Sequence, residues 1–252
     1  MSKLPAVIAL LVLCVPTARA SDDTPRWSLD LDWINDEFSG PRGGEQTAMA
    51  QLNYRFSDRL TAYLHHEYLH HFDAYDQKYV VGASFEPNAL VALNVEAGLA
   101  DDPDFSADHQ AQVRVDLVKW DLFQPSLAYR YLDYDKLGHA STWTPGLRML
   151  TPAGNVEFRD AFTRDIGGTH TSVRSLKLFW VLGEDEKFAF YIAGFEGQDA
   201  LPPEIRADFW RLMSGLSWIM NREWEVRTDF GWEKREDSYT QRSFALGLTR
   251  RF

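Results

Sequence analysis

Cysteine is nearly missing from this chain. Among 252 residues there is one, Cys14. It falls inside an N-terminal stretch that reads as an export leader. Met1-Ser2-Lys3 is a short positive start, Leu4 to Pro16 is apolar, and Ala18-Arg19-Ala20 is a small-x-small cleavage site. A lipoprotein leader wants a small residue before its cysteine, and Leu13 stands there instead. Residues 21–252 therefore have no disulfide, no thiol nucleophile and no thiolate metal ligand.

Long apolar runs are missing as well. The leader's apolar stretch is shorter than the ~20 residues a helix needs to cross a bilayer, and no later segment comes close. A helical membrane protein is excluded. Positive charge is scarce: 26 Lys and Arg stand against 37 Asp and Glu, a formal net charge of −11. Loss of the leader removes two bases, Lys3 and Arg19, and no acid. So acidic a chain is a poor partner for nucleic acid or an anionic surface. No Pro, Gly or Ser-rich linker divides residues 21–252, which read as one domain.

What is present is aromatic and charged at once. Aromatics make up 14% of residues, with nine Trp, and charged residues make up 25%; the two kinds alternate. In Trp224 to Trp232, "WEVRTDFGW", Trp224, Val226, Thr228, Phe230 and Trp232 share one side, and Glu225, Arg227, Asp229 and Gly231 the other. That is the period of a strand. It recurs where Ala48, Ala50, Leu52, Tyr54 and Phe56 oppose Gln51, Asn53 and Arg55, and where Ala111, Val113, Val115 and Leu117 oppose Gln112, Arg114 and Asp116. Segments of about ten residues with one apolar and one wet face are the pattern of transmembrane β-strands.

The connections alternate too. Short turns are expected near Ser57-Asp58-Arg59, Glu86-Pro87-Asn88, Trp120-Asp121, Pro152-Ala153-Gly154, Glu184-Asp185-Glu186 and Asn221-Arg222. Longer polar loops are expected at 35–45, 70–77, 100–109, 133–141, 163–170, 196–208 and 233–239. This predicts an all-β, antiparallel, up-and-down transmembrane barrel of about fourteen strands, or twelve if 139–150 and 154–163 do not pair. The chain ends on an aromatic strand, Phe244 to Phe252. Phe252 then reads as the terminal signal offered to barrel-assembly machinery, with outer-membrane lipid and lipopolysaccharide as surroundings.

The wet faces predict the lumen. The acids there include Glu67, Glu96, Asp116, Glu225 and Asp229, with Asp30, Asp32, Glu157 and Glu233; the bases include Arg55, Lys78, Arg114, Arg130, Arg211 and Arg227, with Arg148, Arg159 and Lys177. Matched signs predict cross-strand ion pairs, such as Glu96 near Arg114 and Glu225 and Asp229 near Arg211. They predict a narrow lumen of weak ion selectivity.

Two enzymatic patterns need weighing. His66-Glu67-Tyr68-Leu69-His70 matches H-E-x-x-H, the zinc-peptidase signature, which works on a helix. On a strand its two histidines lie about 13 Å apart at ~3.3 Å per residue, too far to share one ion. Carboxylates at the outer rim, Asp101, Asp102, Asp104, Asp133 and Asp135 with His109 or His139, are the alternative, a hydrolase site. No serine motif accompanies them.

Tyr54 to Phe72, "YRFSDRLTAYLHHEYLHHF", and Gln77 to Phe105, with Asp102-Pro103-Asp104-Phe105 at its end, resemble the YaiO-type outer-membrane β-barrel proteins, as does the final Arg-Phe. The resemblance implies the same fold and location, with no catalytic residues, cofactor or metal to carry over. It also implies surface polysaccharide as a context. The expected function is thus a non-enzymatic barrel, either a narrow pore or an accessory to surface-polysaccharide processes.

N-terminal sequencing of membrane fractions checks the leader. Chains should begin at Ser21 and pellet with the outer membrane; an intact Met1, or recovery from the soluble periplasm, contradicts it.

Overall fold

The computed structural model describes residues 26–39, 44–71, 74–101, 103–104, 106–118, 122–135, 137–183, 186–200, 206–236 and 239–252. The leader lies outside them. Fourteen strands follow in order: β1 Trp27–Phe38, β2 Gly44–Ser57, β3 Leu60–His71, β4 Ala74–Asn88, β5 Val91–Asp101, β6 His109–Leu117, β7 Phe123–Tyr134, β8 Gly138–Thr151, β9 Gly154–Arg164, β10 His170–Leu182, β11 Phe188–Ala200, β12 Arg206–Ile219, β13 Trp224–Arg235 and β14 Thr240–Arg251. Each pairs antiparallel with its chain neighbours, and β14 pairs with β1 from Ser28↔Arg251 to Phe38↔Gln241, so the sheet closes. β8 and β9 are present and hold one register from Ser141↔Arg164 to Thr151↔Gly154. That settles the count at fourteen rather than twelve.

The inner and outer faces are told apart by reach. Arg227 on β13 contacts Asp32 on β1 across β14, at 2.9 Å, and Arg114 on β6 approaches Glu157 on β9 across two strands, at 3.6 Å. Side chains can converge over intervening strands only on the concave side. The opposite alternate positions carry the large exposed apolar groups: Leu31 and Trp33, Leu52, Leu64, Val95 and Val113, Leu127, Trp143 and Leu147, Leu212 and Leu216, Leu246 and Leu248. Strand alternation places every one of them outward, and together they form the lipid-facing wall.

Aromatics bound that wall at both ends. Near the turns stand Trp27 against Tyr54, Phe188 against Trp218, and Arg250 over Trp224 and Phe252. Toward the loops stand Trp33 with Phe244, Tyr129 with Trp143, and Trp210 with Trp232. Amphipathic rings favour the two interfaces of a membrane.

Two expectations are corrected. The turn placed at Glu86-Pro87-Asn88 lies at Ala89 and Leu90, because a register shift between Phe85 and Asn88 carries β4 further. Several expected loops are largely strand: β1 runs to Phe38, β4 starts at Ala74, and β11 and β12 pair out to Ala200↔Arg206. A polar sequence keeps its ladder hydrogen bonds in water as well as in lipid, so polarity alone did not mark where pairing stops.

Gly247 on β14 sits in one row between Arg227 and Asp32. A Cβ there would overlap both side chains. Gly247→Ala should lower barrel stability by about 1–3 kcal/mol, the usual cost of overpacking. Urea unfolding in lipid, followed by tryptophan fluorescence, measures it; an unchanged midpoint contradicts the close approach.

Candidate functional site

The lumen has two unlike walls. One, running from β8 through β14 to β1 with Arg114 of β6 joined to it, is held by charge. Glu157 gathers Arg159 at 2.7 Å, Arg148 at 3.5 Å and Arg114 at 3.6 Å, while Arg114 also grips Asp116 at 2.7 Å. Glu233, 2% exposed, lies between Arg211 and Arg235, each at 2.6 Å. Glu225 takes Arg251 at 2.6 Å, and Lys177 lies over the Tyr191 ring. Each cross-strand pair of this kind contributes roughly 0.2–1 kcal/mol, and together they draw long side chains into the bore.

The other wall, β2 to β7, lines a cavity of about 560 Å³. Its surface is mostly uncharged and hydrogen-bonding: Gln51, Asn53, Asn94, Gln110, Gln112, with the hydroxyls of Thr61, Tyr63 and Ser84. These groups are tied to one another. Gln51 donates to Asn53 at 2.8 Å, Asn53 to Asp30 at 2.7 Å, Asn94 to Ser84 at 2.9 Å and Arg130 to Gln110 at 3.2 Å. The main charged pair there is Glu67 with Lys78, at 2.6 Å, with His65 at 3.6 Å.

A single device recurs across both walls. In three rows a long donor on one strand crosses a glycine on the next to reach an acid on the third: Tyr63–Gly82–Glu96, Tyr191–Gly215–Asp229 and Arg227–Gly247–Asp32. Tyr191 donates to Asp229 at 2.6 Å and Arg227 to Asp32 at 2.9 Å, and the Tyr63 hydroxyl faces the Glu96 carboxylate across Gly82. A side chain on any of these glycines would overlap its bridge.

The expected lumen residues all share the inner face. Arg55 is there too, opposite Thr61. Their partners differ from expectation. Arg114 bonds Asp116 and is ion-paired with Glu157 rather than Glu96, and Arg211 bonds Glu233 rather than Glu225 or Asp229. The expectation misjudged register: Arg211 stands directly opposite Glu233 on the adjacent strand, while Arg114 pairs along its own strand with Asp116 and over two strands with Glu157. Sequence reasoning also missed Asp76, 1% exposed, which accepts the backbone amides of Asp104 at 2.7 Å and Ser106 at 2.6 Å. The segment joining β5 to β6 is thereby strapped down onto the inner wall near the mouth.

The enzymatic candidates do not assemble. His66 and His70 share the outer face with Tyr79 and Tyr75 opposite, and His66 stacks on Tyr79; Glu67 points the other way, into the lumen. His71, on the inner face, meets Glu45 at 3.1 Å. His109, Asp133 and His139 are neighbours in one row, but on the outer face, and Asp102 lies outside the described residues. Among the described residues, no group of three or more His, Cys, Asp or Glu is arranged to hold a metal ion.

No known family profile matches the chain, and no curated protein does. Solved structures match over nearly the whole length. A structure described as the CymD monoaromatic hydrocarbon channel has a TM-score of 0.66 at 12% identity, covering 91% of this chain and 89% of that one. A bacterial polysaccharide outer membrane secretin has 0.63 at 12%, covering 92% and 100%. Omp33, an outer membrane protein of Acinetobacter baumannii, has 0.56 at 9%, covering 90% and 98%. At such identity the likeness is one of fold: this chain shares the architecture of outer-membrane channel barrels.

His66→Ala and His70→Ala should leave metal content unchanged, because strand spacing parts the two rings and Glu67 faces away. Stoichiometric zinc in the purified protein, abolished by His66→Ala, contradicts this; elemental analysis is the measurement.

Proposed function

We propose that the protein is a non-enzymatic barrel of the outer membrane that offers small polar solutes a narrow passage of weak ion selectivity. The observation that carries this reading is the divided lumen: one wall neutralises its own charge, and the other presents amides and hydroxyls around open space. A selective pore would line itself with one sign. Fourteen strands enclose a bore between the packed interior of eight-stranded barrels and the open channel of sixteen-stranded porins. The backbone amides of Asp104 and Ser106 are held on Asp76 at the inner wall. The His109, Asp133 and His139 row lies on the outer face, away from the lumen, which disfavours a hydrolase site there. On this reading the chain is exported by its leader, cut after Ala20, and handed by its terminal Phe252 to barrel-assembly machinery.

A second reading is an accessory role in surface-polysaccharide processes. The amide wall favours it, since Gln and Asn both donate and accept and so match hydroxyl-rich ligands.

Planar bilayers test both. The purified barrel should give small or no steady conductance with a reversal potential near zero, and Arg114→Ala should raise the current by opening the Glu157 cluster. Large, stable, ion-selective channels would mean an ordinary porin. If current exists and a neutral oligosaccharide blocks it, while a charged solute of similar size does not, the polysaccharide reading gains; no block counts against it.

A further inference from the structure

The two tyrosine bridges of the lumen differ in what covers them. Tyr63 on β3 and Tyr191 on β11 each cross a glycine, Gly82 or Gly215, toward an acid on the third strand. Lys177 lies over Tyr191, its Nζ 4.2 Å from the ring centroid, so that face is taken. Among the described residues no cation or second ring is stacked on Tyr63. Its Cζ, Cε2 and hydroxyl oxygen fill the space where a Gly82 Cβ would stand. The ring therefore backs onto the wall at Gly82, and its other side borders the cavity of about 560 Å³. That volume falls within the roughly 300–1,000 Å³ of small-molecule sites.

The groups around this ring are polar on every side. Asn53, Tyr63, Gly82, Glu96, Gln112 and Arg130 form one row of inward positions from β2 to β7. Of the two carboxylates lining the cavity, Glu67 is ion-paired with Lys78 at 2.6 Å, whereas Glu96 faces the Tyr63 hydroxyl and has no ion pair among the described residues. Gln112, beside Glu96, has no side-chain hydrogen bond among the described residues. Gln51 donates to Asn53 at 2.8 Å, which holds its amide and leaves its carbonyl oxygen to a ligand.

An aromatic face and a rim of amides make different demands. The face is electron-rich and attracts polarised C–H bonds. The amides and the carboxylate call for hydroxyls, which both donate and accept. A planar aromatic solute would suit the face and leave the amides unpaired. An open-chain polyol would suit the amides, but it must freeze many rotors and offers no rigid C–H face. A pyranose meets both demands, with equatorial hydroxyls around its edge and axial C–H bonds on its faces. Glu67 and Glu96 balance Lys78 and Arg130, which favours a neutral sugar over an acidic one.

We propose that Tyr63 is the stacking platform of a sugar subsite, which takes a neutral pyranose with one axial C–H face on the ring and its equatorial hydroxyls on Glu96, Gln112 and Gln51. The subsite rests on the reading of the lumen as a passage for polar solutes, and it names which solute the passage holds and where.

Saturation-transfer NMR on the intact barrel, in an amine-oxide detergent that carries no sugar, tests it with methyl β-glucopyranoside, sorbitol and benzyl alcohol. Transfer from the protein should fall mainly on the axial protons of one face of the glucoside. Sorbitol should bind about tenfold more weakly, since its rotors must be frozen. Tyr63→Phe should keep the transfer and Tyr63→Leu should remove it. Gln112→Leu lies off the tyrosine bridge, so it keeps the test available if Tyr63→Leu does not fold; it should weaken glucoside binding about tenfold through one lost hydrogen bond. Equal binding of sorbitol and glucoside overturns the proposal, as does tighter binding of benzyl alcohol or transfer that survives Tyr63→Leu. A barrel of small, unselective conductance that binds no glucoside overturns the subsite alone. A barrel that binds the glucoside yet conducts as a large, selective pore keeps the subsite and overturns the narrow-passage reading.

Discussion

Hydrocarbon offers no partner to a backbone amide or carbonyl, and the fold follows from that. Each unpaired group in the bilayer core would cost several kcal/mol, so a sheet can cross only if it has no free edge. β14 meets β1 along its whole length, and the ring is complete. Once the ring exists, period-two alternation sends every second residue to lipid and the rest to the bore. The aromatic belts, the ion-paired wall and the amide cavity are all consequences of that one partition.

Inside the ring the chain solves a second problem, which is how to fill a bore of this width with side chains from the wall itself. Adjacent-strand pairs alone reach only a short way inward. Setting glycine in the middle strand of a row lets tyrosine or arginine lie flat and bond an acid two strands away, as at Tyr191–Gly215–Asp229. Such bridges act as chords across the curve of the wall. They stiffen the sheet and tie pleats together at positions where a packed apolar core is missing. The cavity between β2 and β7 is the part of the bore these chords leave open.

Much of the architecture was legible because alternation is a local property. Trp224 to Trp232 announces its two faces without reference to any other strand. The ion-pair partners were not legible, since they depend on the register that sets Arg211 opposite Glu233 and on the reach of Arg114 along its own strand and over two others, which no local pattern announces. Asp76 looked like one more loop acid, because the amides it accepts arrive from a segment beyond the next strand. The polar ends of β1, β11 and β12 read as loops because sequence marks where lipid ends, not where hydrogen bonding ends.

The seam between Trp27 and Phe252 also governs time. β1 is the first strand made and β14 the last, and the two are locked by Phe252 donating to Trp27 at 2.9 Å. Contacts of such sequence separation are slow to form. Until β14 arrives, β1 presents an open edge that any other strand can pair with. The chain's survival in the interval before closure therefore rests on being kept apart from its own kind, so its yield will be set by escort and dilution more than by the stability of the finished ring.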